Sequence, residues 1–184
     1  MPTAESQSLP LVLPAPQQIE IQDGTTELSS DVRLSTSNVV PYMRKTMRGI
    51  FTAAAIRVVA NKKKFVIQVN ISEDDPLAGV ELSDAARTDS YEMKITDNVV
   101  TVSSASQLGA VWGVQTFADI YQAAGADTLI PNCRIRDWTA VPVRGIRVRA
   151  GLRTNNMRLD EYCSIVDRAG RAKINCAVFD LHTM

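Results

Sequence analysis

Along this 184-residue chain the spacing of apolar and polar positions changes several times, and each change marks an element. Gln18-Ile19-Glu20-Ile21 alternates as a half-buried strand does. Asp23-Gly24 follows as a turn of the kind that closes hairpins, so Val32-Arg33-Leu34 is expected to be the returning strand. From Pro41 to about Ala60 the spacing turns helical, with Met43, Met47, Ile50, Phe51 and Ala54 on one face behind a proline suited to a first turn. Phe65 to Ile71 alternates again and is rich in β-branched residues. Tyr91 to Ile95 and Val99 to Val102 predict two strands joined through Thr96-Asp97-Asn98 as a hairpin. Ser104 or Ser106 then caps a helix running to about Ala124, with Leu108, Val111, Trp112, Gln115 and Ala118 along one side.

These segments predict an α+β fold: a small antiparallel or mixed sheet of four or five mostly meandering strands, with two helices on one face. The pattern then changes. Arg144 to Ala150 reads as a strand, Leu159 to Ala172 as a helix and Ile174 to Leu181 as a second strand. That βαβ order is the unit of a parallel sheet and resembles the start of a TIM barrel. The expected division is an accessory α+β domain over residues 1–138 and the first βαβ segment of an incomplete (β/α)8 barrel over 139–184. A whole barrel takes roughly 200 residues or more. Forty residues follow Arg144, too few to enclose a pocket.

Composition narrows the class. Hydrophobic residues make up 45% and charged residues 22%, ordinary for a globular protein, while aromatics at 5% predict an aliphatic core. The formal net charge is zero but uneven, about +5 over residues 133–184 and −5 over the rest. The nine arginines of that last stretch are scattered over strands and helix without interleaved aromatics, so no nucleic-acid partner is expected. Cys133, Cys163 and Cys176 form neither a metal knuckle nor a disulfide framework and are read as reduced, largely buried thiols. His182 is the single histidine, so no multi-histidine metal site and no cofactor are expected. No apolar run reaches the ~18 residues of a membrane span, and Leu9 to Pro16 is too short and proline-broken for a signal core; the compartment stays open.

Asp74-Asp75, followed by Pro76, reads as a solvated turn rather than a catalytic pair. Gly109 and Gly113 lack the spacing of a phosphate-cradling loop and are expected to permit close helix–sheet packing. Trp112 is read as core. Arg153, Asp180 and His182 are the candidate substrate contacts, because barrel active sites form at the C-terminal ends of the strands. No catalytic residue is assigned.

The ordered motifs resemble family 20 glycoside hydrolases, the β-N-acetylhexosaminidases. They are Leu13-Pro14-Ala15-Pro16, Tyr91 to Ile95 with Val99 to Ser103, Gly109 to Phe117, Ile135-Arg136-Asp137 with Pro142 and Arg144-Gly145-Ile146, and Lys173-Ile174-Asn175. The set covers nearly the whole chain. O-GlcNAc hydrolases and α-glucuronidases carry a similar leading domain. The resemblance implies a small α+β domain ahead of a catalytic barrel that removes terminal β-linked N-acetylhexosamine. In that family an Asp orients the substrate's own 2-acetamido group as nucleophile and a Glu protonates the leaving oxygen, within an HxGgDE segment that residues 1–184 lack. Arg149 stands where the family's first strand has an Asp, Arg153 falls one position late for its sugar-contacting Arg, and Phe179 to His182 is two positions out of register.

The expected role is therefore non-catalytic: the domain braces a barrel, and the chain alone is inactive. The expected partners are the rest of a catalytic barrel or a second copy of the chain, with a glycan substrate in the parent. The alternative is a stand-alone protein- or carbohydrate-binding domain.

Overall fold

A computed structural model describes residues 9–10, 12–60, 65–150 and 158–181, with only the backbone for Arg149, Ala150, Asp180 and Leu181. The chain divides into two compact units, Met1–Thr139 and Ala140–Met184. The first is α+β, a seven-stranded mixed sheet with helices. Its strands are β1 (Gln18–Glu27), β2 (Asp31–Ser37), β3 (Arg57–Val58), β4 (Val66–Ile71), β5 (Tyr91–Thr96), β6 (Val99–Ser104) and β7 (Leu129–Asp137). Its helices are α1 (Pro41–Ala53), α2 (Asp84–Thr88) and α3 (Gln107–Ala124). The order across the sheet is β1-β7-β5-β6-β4-β2-β3.

The Asp23-Gly24 hairpin does not form. β1 runs straight through these residues and pairs antiparallel with β7, from Gln18 opposite Arg136 to Glu27 opposite Leu129. The register shifts between Ile21 and Thr25, with Gly24 at φ +90° and the Asn132 amide donating to the Asp23 carbonyl at 3.0 Å. The glycine supplies a bulge instead of a turn. β2 pairs in parallel with β3 and β4, and β4 with β6, so the sheet has more strands and more crossovers than the predicted meander. The short helix α2 is a further element that the spacing did not predict, capped by Ser83, whose hydroxyl accepts from the Ala86 amide.

The β5–β6 hairpin forms as expected, Thr96 facing Val99 across Asp97 and Asn98. Both loop residues lie at positive φ, 50° and 63°, which Asp and Asn tolerate through their short polar side chains. α1 stops at Ala53 rather than near Ala60. Ala55 turns left-handed at φ 60° and the Ile56 amide donates back to the Phe51 carbonyl at 2.9 Å, which returns Ile56 to the core. α1 buries Met47 and Phe51, half-buries Met43, Thr46 and Ile50 on the same side, and exposes the opposite surface. Gly49 lies on that exposed surface with nothing within 4 Å of an added Cβ. Gly49→Ala is expected to raise stability by about 0.5–1 kcal/mol, because it removes backbone freedom from the unfolded chain. Chemical denaturation measures this; an unchanged or lower midpoint contradicts it.

α3 is the centre of the unit. Ser106 caps it, its hydroxyl accepting from the Gly109 amide at 2.9 Å, and every residue from Gly109 to Ala118 is buried. Such all-round burial exceeds the single apolar side that its spacing predicts. The two glycines let it approach the sheet: a Cβ on Gly113 would stand 2.5 Å from Val102 Cγ1, and one on Gly109 would collide with the Ser90 carbonyl and the Ser104 hydroxyl.

The second unit contains β8 (Gly145–Ala150), α4 (Leu159–Arg171) and β9 (Cys176–Leu181). β8 and β9 pair in parallel, from Gly145 opposite Cys176 to Ala150 opposite Leu181, as the βαβ pattern predicts. The result is a two-stranded parallel sheet with one crossover helix; the described residues form no barrel.

Candidate functional site

The N-terminal ends of β8 and β9 are locked by the residues of two sequence motifs. The Arg144 guanidinium donates to the carbonyls of Lys173 (2.7 Å) and Val141 (2.9 Å). The Asn175 side chain accepts from the Arg144 amide at 2.9 Å and donates to the Pro142 carbonyl at 2.8 Å. The amides of Asn175 and Cys176 both reach the Arg144 carbonyl, and Lys173 takes φ 55° to bring the chain there. Arg144 and Asn175 are thus framework residues at the end opposite to the predicted sugar contacts.

At the other end, Asp180 lies one residue from the C-terminus of β9 and is in register with Arg149 of β8. Arg153 and His182 lie outside the described residues. Along α4, shallow depressions carry Arg158, Asp160, Ser164, Asp167 and Arg168. The pair Arg158–Asp160, at 3.1 Å, is largely solvent-exposed, so this surface is a solvated helix face.

Two polar clusters in the first unit draw on residues of the sequence motifs, but their pairing is not predicted by the spacing. In the first, the Tyr91 hydroxyl lies 2.6 Å from Thr116 Oγ1 and donates to Asp137 Oδ2 at 3.1 Å, while the Gln17 amide donates to Asp137 Oδ1 at 3.2 Å. Four distant segments meet there. Burial, then the nearby Asp137 charge, raises the Tyr91 phenol well above its usual range, so it stays a neutral donor. In the second, Glu92 is 7% exposed and faces three cations. Arg134 donates from Nε at 2.7 Å and Nη2 at 2.5 Å, Arg136 from Nε at 3.0 Å, and Lys94 from Nζ at 3.0 Å. Burial works to raise this carboxyl, but the hydrogen bonds from Lys94, Arg136 and Arg134 outweigh it and leave the value lowered.

The other singled-out residues have structural roles. Asp75 accepts from the Leu77 amide at 2.9 Å and pairs with Arg87, while Asp74 exchanges hydrogen bonds with Ser72, which makes the acidic pair a turn. Trp112 is buried, as expected of core. Cys133 is buried and its thiol is pushed up to about 12 by that burial; Cys163 and Cys176, expected to be largely buried, are exposed because α4 and β9 leave them on open faces. Among the described residues no His, Cys, Asp and Glu side chains gather as a metal site, and no helix is long and apolar enough to cross a membrane.

A mixed sheet backed by a buried helix and followed by a βαβ unit defines the class: an α+β domain leading into a parallel βα segment. The chain belongs to glycosyl hydrolase family 20, with residues 9–138 matching that family's domain 2, the accessory domain of hexosaminidase-like enzymes. The fold is shared with a Flavobacterium johnsoniae chitobiase at TM-score 0.69 and 18% identity, over 92% of this chain and 27% of that one. It is shared too with a Bacteroides fragilis β-N-acetylhexosaminidase at TM-score 0.70 and 16% identity, over 92% and 32%. A GH84 chain superposes at TM-score 0.67 and 16% identity, over 90% and 30%. The chain therefore spans about a third or less of the length of these solved relatives. No curated protein matches it.

Proposed function

We propose that this chain is the non-catalytic leading portion of a glycoside hydrolase that removes terminal β-N-acetylhexosamine, and that its accessory domain braces the catalytic barrel. The observation that carries the reading is the domain 2 match over residues 9–138, in a chain that spans 27–32% of the hexosaminidase structures sharing its fold. On this reading β8-α4-β9 is the first βαβ of the barrel. Its strands then need apolar cover on both faces, and the exposure of Val178 (49%) and Phe179 (41%) accords with a surface that further βα units would bury. Arg153, Asp180 and His182 would line the sugar pocket from the C-terminal ends of the strands. An arginine there can hold two sugar hydroxyls with its fork.

The purified 184-residue chain is expected to show no turnover of a chromogenic N-acetylglucosaminide. In the complete enzyme, Arg153→Ala is expected to lower kcat/KM at least about tenfold, through loss of a charge-assisted hydrogen bond. Turnover by the chain alone, abolished by changing one of its own carboxylates, overturns the proposal.

A further inference from the structure

Among the side chains described in the second unit, Lys173 alone is buried. α4 buries none of its residues, and Leu159, Val166, Val178 and Phe179 are exposed. The local signals for order are nevertheless complete. α4 has Asp160 and Glu161 in its first turn, Arg168 and Arg171 in its last, and apolar side chains recurring at Leu159, Tyr162, Ile165 and Val166. Arg144 and Asn175 bind the start of β8 to the start of β9. The unit thus has complementary end charges, periodicity and a clamp, but no apolar core.

The two faces of the strand pair differ. Phe179 meets the Tyr162 ring edge-on, with 6.1 Å between centroids, which places Phe179 and Ala177 on the α4 side of β9, beside Val148 and Ile146 of β8. Alternation turns Cys176, Val178 and Arg147 to the opposite side, and all three are exposed. Among the described residues β8 and β9 pair only with each other, so each keeps an open edge. Ordering such a segment costs conformational entropy that apolar burial has to offset, and parallel strands obtain that burial from cover on both faces. Here one face is open and the side chains under α4 are at best half-buried. The first unit differs: Tyr91, Phe51, Phe65, Phe117 and Met93 are fully buried in it.

We infer that β8-α4-β9 folds on assembly: it is held in this structure only when further βα units continue the strand pair and cover the Val178 face. In the 184-residue chain alone it opens while the first unit stays folded. The occupant follows from the pairing and the family. A parallel edge is continued by another parallel strand, reached through a crossover helix, and the chain spans 27–32% of the hexosaminidase structures that share its fold. The choice of occupant rests on the hydrolase reading above; the lack of a core in β8-α4-β9 is independent of it.

The test is amide hydrogen exchange of the 184-residue chain, over a range of concentrations, beside the complete enzyme. In the chain alone, β8, α4 and β9 are expected to exchange within about tenfold of an unstructured peptide, and at least about a thousandfold faster than α3, β5 and β6. In the complete enzyme the same three elements are expected to slow by at least about a hundredfold. Slow exchange of these elements in the dilute chain overturns the inference. Slowing that grows with chain concentration assigns the cover to a second copy, and exchange that stays fast in the complete enzyme removes the βα units as the cover; either result overturns it as well. Turnover of a chromogenic N-acetylglucosaminide by the same complete enzyme tests the hydrolase reading separately, since its absence leaves the exchange pattern as evidence on folding.

Discussion

Gly109→Ala is expected to destabilise the first unit by about 3 kcal/mol or more, at the upper end of overpacking effects. The added methyl group would collide with the Ser90 carbonyl, part of the backbone leading into β5, and with Ser104 Oγ, which itself donates to that carbonyl at 2.7 Å. Backbone held by a central strand cannot move aside as a flexible side chain does. In an exposed helix the same replacement gains up to about 1 kcal/mol of helix propensity, so the sign is decided by the close approach. Gly113→Ala meets Val102 Cγ1 and the Tyr91 ring, both side chains, and should cost less. Thermal unfolding would show a fall of roughly 10 °C for Gly109→Ala. A melting temperature at or above that of the unsubstituted chain would mean that α3 does not lie this close to the sheet.

Glu92→Gln is the second large effect. It preserves shape but removes the charge that holds Arg134, Arg136 and Lys94 together on β5 and β7. Glu92 is buried while its three cations stay a quarter to a half exposed, so removing its charge is expected to cost about 1–3 kcal/mol. The pH dependence has a defined sign. The folded-state carboxyl titrates below its ordinary 4.5, so its stabilisation is full above that value and is lost as pH falls through the lowered folded-state value. The gap in melting temperature between the two proteins should therefore be wide at pH 7 and close in acid. A gap that stays constant down to pH 3 would show that the carboxylate charge is not what stabilises the cluster.

The residues of the two clusters lie far apart along the chain. Glu92 and Arg134 are forty-two positions apart, and Gln17 and Asp137 one hundred and twenty. Local spacing holds no trace of such pairings. The same holds for β1, whose Asp23-Gly24 satisfies the local requirements of a hairpin turn and of a bulge equally. Asn132, across the strand pair on β7, selects the bulge. The spacing of α3 shows one packed side, through Val111, Trp112, Gln115 and Ala118, whereas Ala110, Val114, Thr116 and Phe117 are buried as well. The predicted sugar contacts rest on position within a βαβ unit; of the three, Asp180 lies within the described residues, one residue before the end of β9.

What the residues alone determined was local. Alternation, helical spacing, proline and glycine punctuation and the Asp97-Asn98 turn located β4, β5, β6, α1, α3, β8, α4 and β9, because each signal acts between residues a few positions apart. The order of motifs also pointed to the family that residues 9–138 match. Only the tertiary structure decided that β1 closes the sheet against β7, that β2, β4 and β6 run parallel, and that Glu92 gathers three cations. Those outcomes depend on which distant surfaces exclude water together and which buried charges find partners, and both are properties of the folded chain as a whole.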